Sequence, residues 1–181
     1  MKKMCGTLGK SVQDPTCSML AALTSFPESN VKAYNTFEHA IKELKRGCIQ
    51  AVLVPAAYPE IRHFIMDESL IINDIFSFDI PNLVMVAQIE RKHYEKVFLH
   101  PATVSLLPKI MASYENTQFV TSNSVACYLA KKHQDVCAIT NRACAMLYDI
   151  PVLQVVRNSI HMPFFIFERS QRYNENIDCI E

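Results

Sequence analysis

Glycine is scarce in this sequence, with only three among 181 residues. Neither Gly-x-Gly-x-x-Gly nor a Walker loop occurs, which disfavours nucleotide binding by either device. Lys and Arg total 18, as do Asp and Glu, so the formal net charge is zero and nothing favours binding to nucleic acid or to an acidic membrane. No apolar run approaches the roughly 18 residues of a membrane span. The start, MKKMCGTLG, has no apolar segment after its lysines, so we expect no secretory signal.

Paired metal-ligand motifs are also absent. The seven cysteines form no C-x-x-C pair and the six histidines form no H-x-x-x-H pair, so the sequence indicates neither a metal site nor a cofactor. Cys48 and Cys137 lie where buried strands are predicted to begin, and Cys127 and Cys144 fit helix faces. We therefore expect small buried thiols without disulfides in a reducing compartment, which predicts a cytoplasmic protein.

What is present is an alternation of strand and helix patterns in a chain whose residues are 50% hydrophobic. The clearest helix is TFEHAIKELKRG, residues 36–47, with Thr36 as N-cap and Gly47 as the stop. Strands are predicted at 3–9, 30–35, 49–55, 70–80, 82–88, 96–100, 118–122, 136–141, 152–158 and 164–169. Further helices are predicted at 14–26, 101–114, 124–133 and 142–148, with a loop and helical turn at 56–66 and a loose tail after 169. In the first of these helices Asp14 is the expected N-cap and Pro15 the first helical residue.

This order predicts an α/β fold of two successive units, joined by crossing strands around Pro81. We expect parallel or mixed sheets and a two-lobed clamshell with a ligand cleft between the lobes. Residues 1–78 and 151–181 are assigned to the first lobe and residues 79–150 to the second.

Hydroxyl and amide side chains lie where the predicted helices begin, next to free backbone N–H groups. In parallel α/β units the ligand crevice lies at the carboxyl ends of the strands, beside these helix N-termini. Such positions can bind carboxylates or phosphates, and they can equally be plain helix caps. The segments are 14–18, 35–37, 99–103, 121–124 and 140–142. The residues alone thus predict a protein that binds a small anion.

The motifs TLG, NTFEHAI, AVLVPAAY, LHPATVSLL, TSNSVA and AITNRACAMLYDI occur in an order that resembles the prephenate dehydratases across nearly the whole chain. The resemblance implies a periplasmic-binding-protein-like fold of type II, with two α/β lobes and one catalytic domain. It is closer to the short prephenate decarboxylases of the bacilysin type, which have similar Val-Pro-x-Ala-Tyr and Ile-Lys-His-Phe segments and no ACT domain. Here the matching residues are 54–58, 61–64 and Ser159-Ile160-His161-Met162.

The last strand separates the two reactions. Dehydratases carry Thr-Arg-Phe there, with the threonine placed to protonate the departing ring hydroxyl and the arginine anchoring a substrate carboxylate. This chain has Met162 and Pro163 in those places. A decarboxylase must keep the hydroxyl and protonate a ring carbon, so loss of that donor suppresses the competing reaction. Loss of all activity would leave the same pattern.

On the matching motifs, the candidate catalytic residues are His100, which ends a strand beside a helix N-terminus, and His161. The resemblance assigns substrate binding to Thr16, Ser18, Tyr58, Arg62, His63, Thr103, Ser122, Asn123, Ser124, Asn141 and Met162. Each assignment has an alternative. His100 can instead order its turn, His161 can point to solvent, Arg62 can be a surface residue, and Thr16 and Ser18 can be simple caps. Lys10 is another candidate anchor, and Cys17 is a weak candidate nucleophile because no histidine partner is identified.

The first loop departs from the family pattern Gly-Pro-x-Gly-Thr-x-Ser. Residues 9–18 replace it with about three extra residues and without the second glycine, and Ala56 stands where bacilysin-type enzymes have histidine. Three functions remain open. They are decarboxylation of prephenate or a close analogue in antibiotic biosynthesis, binding of a small dicarboxylate without catalysis, and conventional dehydration. A homodimer is expected from the resemblance, with no nucleic-acid or membrane partner.

Overall fold

Two five-stranded sheets, one in each of two units, organise the chain. The computed structural model describes residues 3–170. Of these residues, unit 1 contains those up to Asp14, Ser18–Phe78 and those from Met162, and unit 2 contains Pro15–Cys17 and Asp79–His161. Residues 151–161 thus lie in unit 2 rather than in the first lobe. The reason is that the strand at Val152–Arg157 pairs with the strand at Leu83–Val86 of the second sheet.

The sheet of unit 1 has the order β2-β1-β3-β10-β4 and is mixed. Its strands are β1 (Cys5–Leu8), β2 (Val31–Tyr34), β3 (Ala51–Pro55), β4 (Leu70–Ile80) and β10 (Ile160–Arg169). Strand β1 runs parallel to β2 and to β3, and β10 runs antiparallel to β3. The apolar run of β3 is buried, as predicted, because a strand flanked by two others and covered on its faces has no solvent side.

The helices of unit 1 are α1 (Cys17–Ser25), α2 (Phe37–Lys45) and α3 (Ile61–Ile65), and residues 28–30 form a 3₁₀ turn. In α2 the Thr36 side chain accepts a hydrogen bond from the backbone N–H of His39, and Gly47 adopts a φ of 77° after the last turn. Its apolar stripe, Phe37, Ala40, Ile41 and Leu44, is buried against the sheet. Both ends of this helix are therefore where the cap and stop residues predict them.

The start of α1 differs from the prediction. We expected Asp14 as N-cap and Pro15 as the first helical residue, but the helix begins at Cys17. The carboxylate of Asp14 instead accepts from the backbone N–H of Lys10 and closes the preceding loop. This local bond competes with the capping role, which is a general property of aspartate near helix starts.

The sheet of unit 2 has the order β7-β6-β8-β5-β9 and is also mixed. Its strands are β5 (Leu83–Val86), β6 (His93–Leu99), β7 (Ser113–Phe119), β8 (Val136–Asn141) and β9 (Val152–Arg157). Strand β6 runs parallel to β7 and to β8, whereas β5 runs antiparallel to β8 and to β9. Cys137 is fully buried in β8, as predicted.

The helices of unit 2 are α4 (Asn123–Lys132) and α5 (Arg142–Leu147), with a 3₁₀ helix at Pro101–Lys109. The predicted α-helix over 101–114 is wrong. Pro108 lacks the N–H that a continuing α-helix needs, and residues from Ser113 onward join β7. Cys127 and Cys144 are buried on helix faces as expected, but Cys48 is exposed before β3 begins. The predicted tail after 169 lies mostly outside the described residues.

Candidate functional site

In unit 2, two of the predicted anion-binding side chains cap their helices. The Ser122 hydroxyl accepts from the backbone N–H of Val125 at 3.1 Å, at the start of α4. The Asn141 Oδ1 accepts from the backbone N–H of Cys144 at 2.8 Å, at the start of α5. Capping, the alternative that the sequence left open, is therefore present at both positions. It leaves the backbone N–H groups of Asn123 and Ser124 at the first turn of α4 for other acceptors.

Both the nitrogen and the oxygen of the Asn141 carboxamide make hydrogen bonds. Its residue is 0% exposed, and Nδ2 donates to the carbonyl oxygen of Pro15 at 3.0 Å and to the Cys17 Sγ at 3.7 Å. With Oδ1 bonded to Cys144, both amide hydrogens and one oxygen lone pair have protein partners. Asn141 thus holds the segment Pro15–Cys17 in unit 2.

The thiol of Cys17 lies between two carboxamides. Asn141 and Asn123 each direct Nδ2 at its sulfur at 3.7 Å. Burial raises the pKa of the thiol, although the two hydrogen bonds act in the opposite direction. A protonated thiol is a poor nucleophile, so this geometry does not support nucleophilic catalysis by Cys17.

Two further polar side chains tie the start of α4 to its surroundings. The Thr140 hydroxyl donates to the carbonyl oxygen of Asn123 at 2.7 Å. Ser124, which is 1% exposed, has its hydroxyl 3.1 Å from the hydroxyl of Tyr148. The start of α4 is therefore fixed by β8 and by the end of α5, which positions its first-turn N–H groups.

His100 directly follows β6 and is the N-cap of the 3₁₀ helix at Pro101–Lys109. Its Nδ1 accepts from the backbone N–H of Ala102 at 3.2 Å, and its carbonyl oxygen accepts from the hydroxyl of Thr103 at 2.8 Å. Burial lowers the pKa of the imidazole from its ordinary value of 6.5. The neutral ring with an accepting Nδ1 carries its proton on Nε2, which leaves Nε2–H to donate. Thr103 is buried, and its hydrogen bond to the His100 carbonyl oxygen stabilises this turn.

We predict that burial of the His100 imidazole makes folding sensitive to mild acid. Because the folded-state pKa is below the unfolded value of 6.5, the unfolded state binds more protons in this range. The contribution is complete above pH 6.5 and is lost as the pH falls through the lowered folded-state value. His100→Asn keeps a cap acceptor that does not titrate. Urea unfolding between about pH 7 and 5 should therefore show a shallower loss of stability for His100→Asn than for the wild type. Parallel curves would contradict the assignment.

Two other predicted binding residues, Thr16 and Ser18, flank the first residue of α1. Both are buried, with 4% of each exposed. Cys17, which lies between them, is partly exposed.

Three predicted binding residues of unit 1 lie at the start of α3. Tyr58 precedes the helix, and Arg62 and His63 belong to its first turn. The Tyr58 hydroxyl donates to Glu38, its ring packs on Phe37 and Phe64, and burial raises the pKa of its hydroxyl. The Arg62 side chain is 75% exposed and only 4.0 Å from Glu60, to which the Nε2 of His63 is bonded at 2.8 Å. The surface alternative for Arg62 therefore fits its observed environment.

His161 and Met162 begin the last strand. The His161 side chain is 70% exposed, with Nδ1 2.8 Å from Asp79. Met162 is half-buried, and the carbonyl oxygen of the following Pro163 accepts from the backbone N–H of Ala56 at 2.9 Å. In the prephenate dehydratases that the chain resembles, a threonine stands at the position of Met162. The Met162 side chain is a thioether and has no proton to donate.

Within residues 3–170, no group of three or more His, Cys, Asp or Glu side chains is arranged to hold a metal ion. None of the helices in this range is long and apolar enough to cross a membrane.

Sequence reasoning missed two features. Asp14 was taken as a helix cap, yet it is buried with one carboxylate oxygen unbonded. Cys17 was considered only as a nucleophile, yet it accepts from two asparagines that lie more than 100 positions away in sequence. Contacts of that separation leave no local pattern, so nothing in the sequence indicated the second feature.

The sequence is similar to curated proteins named prephenate decarboxylase. The protein from Planktothrix agardhii (strain NIVA-CYA 126/8) is 26% identical over 179 residues, covering 91% of this chain and 87% of its own length. The protein from Bacillus amyloliquefaciens is 23% identical over 154 residues, covering 82% and 75%. No protein-family model matches the chain.

Solved structures share the fold. Prephenate dehydratase from Arthrobacter aurescens, in complex with L-Phe, has a TM-score of 0.69 at 15% identity over 92% of this chain. A protein described as GqqA, a novel type of quorum quenching acylase, has a TM-score of 0.66 at 14% identity over 93%. The chain spans 60% and 64% of those two chains. The periplasmic VFT2 domain of Bordetella pertussis BvgS has a TM-score of 0.55 at 13% identity.

These findings confirm the predicted fold class, a two-lobed type II α/β fold with mixed sheets. They also confirm the resemblance that the motifs carried. The chain is similar to prephenate decarboxylases in sequence and to prephenate dehydratases in fold.

Proposed function

We propose that the protein is a lyase of the prephenate decarboxylase type, which removes carbon dioxide from prephenate or a close analogue without making the ring aromatic. The observation that carries this proposal is the last strand. Met162 and Pro163 replace the threonine that protonates the hydroxyl in dehydratases and the arginine that anchors a carboxylate, in a chain similar to curated prephenate decarboxylases over most of its length.

The chemistry requires a carboxylate to leave while the ring hydroxyl stays. Loss of carbon dioxide from prephenate delivers an electron pair to the ring. If the hydroxyl is protonated, it leaves as water and the ring becomes aromatic. If a ring carbon is protonated instead, the hydroxyl is retained. A site without a donor at the hydroxyl and with a donor at the ring therefore selects decarboxylation alone.

We propose that the substrate carboxylates bind at helix starts. In unit 2 the first-turn N–H groups of α4, at Asn123 and Ser124, fit one carboxylate, and the Nε2–H of His100 is a further donor. At α1 the corresponding positions are Thr16 and Ser18. Tyr58, Arg62, His63, His161 and Met162 remain proposed contacts. Asn141, Ser122 and Thr103 are proposed to position the others, because their polar atoms already serve the fold.

We further propose a cytoplasmic protein that acts as a homodimer in the biosynthesis of a specialised metabolite such as an antibiotic. The reducing compartment is supported by the described cysteines, which form no disulfide bonds among residues 3–170. The dimer and the pathway rest on the resemblance.

Incubation of the purified protein with prephenate tests the proposal. We expect release of carbon dioxide and a product whose ultraviolet spectrum lacks an aromatic ring. Formation of phenylpyruvate would indicate a dehydratase and would overturn the proposal.

A second candidate, a small-anion binder without catalysis, is favoured by the altered first loop, in which residues 9–18 replace the family pattern and lack its second glycine. Thermal stabilisation by prephenate without turnover would support this candidate. Turnover would exclude it.

A further inference from the structure

Exposed apolar side chains are concentrated at the end of α3 and the start of β4, in unit 1. Within residues 3–170, no other stretch of the same length has as many exposed large apolar residues. Single exposed apolar residues are ordinary, whereas a group of them on one part of the surface marks an interaction site. We call this group the isoleucine patch, and its members, which are 37–80% exposed, are Ile65, Met66, Ile71, Ile72 and Ile75.

Strand β4, which carries three residues of the patch, lies at the edge of its sheet. It pairs with β10 on one side, and no strand of residues 3–170 follows it on the other side in the sheet order. All residues from Ile71 to Ile75 are exposed. An edge strand with exposed apolar side chains offers both backbone groups and apolar area to another segment, and soluble proteins commonly cover such an edge.

The chain leaves the described part of the structure next to this patch. Strand β10 ends at Arg169, and the backbone N–H of Ser170 then donates to the carbonyl oxygen of Ser69 at 2.9 Å. Ser69 directly precedes β4 and is itself held by Asp67, whose Oδ1 accepts from the backbone N–H and from the hydroxyl of Ser69. The segment 171–181 therefore starts beside the first residue of β4.

The length and the composition of segment 171–181 suit the patch. Ile75 lies about 20 Å along the strand from Ser69, and eleven residues reach at most about 36 Å, so the segment is long enough to extend over the patch. Its apolar residues Tyr173, Ile177 and Ile180 recur at i, i+4 and i+7, which is the spacing of one apolar face of a helix. The sequence thus supplies a complementary apolar surface at the right distance.

We propose that the isoleucine patch is the docking site of the chain's own segment 171–181, with Tyr173, Ile177 and Ile180 packed on the isoleucines of β4. Removal of this apolar area from water drives the docking. The short connection through Ser170 keeps the segment at an effective concentration of about a millimolar or more, so that a weak contact is sufficient. This inference is independent of the proposed lyase activity.

The native Cys179 makes the docking measurable through a disulfide bond. All variants carry Cys48→Ser, because the Cys48 thiol is exposed. In this background Ile75→Cys adds a thiol to the patch, and mild oxidation with diamide should join it to Cys179 within one chain. The mass of the intact chain should fall by two hydrogens, and non-reducing electrophoresis should show a monomer. Adding Cys179→Ser should abolish this product.

Leu23→Cys is the matched control. Leu23 is the exposed large apolar residue of unit 1 that lies outside the patch within residues 3–170. Its helix α1 connects β1 to β2, the two strands farthest from β4 in the sheet order. We expect the disulfide with Cys179 to form at least about 10-fold faster in Ile75→Cys than in Leu23→Cys, because docking raises the effective concentration of the two thiols. Ile71→Cys is a second patch variant with the same expected result.

Two substitutions in the segment test the packing itself. Ile177→Asp combined with Ile180→Asp, in the full chain with Ile75→Cys, places charges on the apolar face of the segment. The disulfide should then form as slowly as in Leu23→Cys. An unchanged rate would show that these side chains do not pack on the patch.

Equal rates of disulfide formation in the patch variants and in Leu23→Cys would overturn the docking. Disulfide-linked dimers of Ile75→Cys that persist when Cys179→Ser is added would show that the patch meets a second copy of the chain, and they would overturn it as well. Turnover of prephenate is measured separately, so failure of the docking leaves the proposed function standing and failure of the proposed function leaves the docking standing.

Discussion

Replacement of Asn141 by alanine is expected to lower the free energy of unfolding by about 2–5 kcal/mol. The variant removes hydrogen bonds to the Cys144 N–H, to the Pro15 carbonyl and to the Cys17 sulfur, all at a fully buried position. Each buried polar group left without its partner costs about 1–3 kcal/mol. Pro15 keeps only a weak contact from the Cys144 thiol. The chain has no tryptophan, so urea unfolding followed by far-ultraviolet circular dichroism is the suitable measurement.

Asn123→Ala is the matched control for Asn141→Ala. It also removes a carboxamide at a helix start, that of α4, but the Asn123 side chain has only the long N–H contact to Cys17. We expect a loss below about 1 kcal/mol. Equal losses in the two variants would mean that the carboxamide of Asn141 does not anchor the segment Pro15–Cys17.

Restoring the dehydratase residues at the start of the last strand is expected to change the product. In the double variant Met162→Thr and Pro163→Arg, a hydroxyl donor and a forked carboxylate anchor return to β10. The strand should tolerate both, because Met162 is half-buried, Pro163 is exposed, and the Pro163 carbonyl keeps its bond from Ala56. General acid catalysis contributes about 100-fold or more, so phenylpyruvate formation should rise by that order. Mass analysis of the product measures it.

Valine provides the control for this change, since it has the shape of threonine without the hydroxyl. Met162→Val combined with Pro163→Arg should give no increase in phenylpyruvate. If both double variants form it equally, the hydroxyl is irrelevant and the interpretation of Met162 is wrong. The comparison depends on the wild type acting on prephenate, which the proposed function predicts.

Local rules predict the regular elements of this fold well. The helix α2 has its cap at Thr36, its stop at Gly47 and its apolar stripe on the buried face, because all three signals lie within a dozen residues. Strand β3 is recognisable because burial on both faces demands a continuous apolar run. Competition between local bonds explains the errors. Asp14 bonds backward to Lys10 rather than forward into α1, and Pro108 limits residues 101–109 to a 3₁₀ helix.

The candidate site was less predictable than the fold. Ser122 and Asn141 could be named from sequence because each follows or ends a strand and precedes a helix. That Asn141 also reaches Pro15 depends on a contact between residues 126 positions apart, which no local pattern encodes. The pairing of β9 with β5 is non-local in the same way, so no local pattern places residues 152–157 beside the second sheet. Contacts between residues that are distant in sequence form only when the sheets assemble.

The central claim is that the ring hydroxyl survives decarboxylation, and prephenate with heavy oxygen in that hydroxyl tests it most directly. After incubation with the protein, mass analysis should find the label in the organic product together with the loss of one carbon dioxide. Label recovered in water, with phenylpyruvate as the product, would contradict the account.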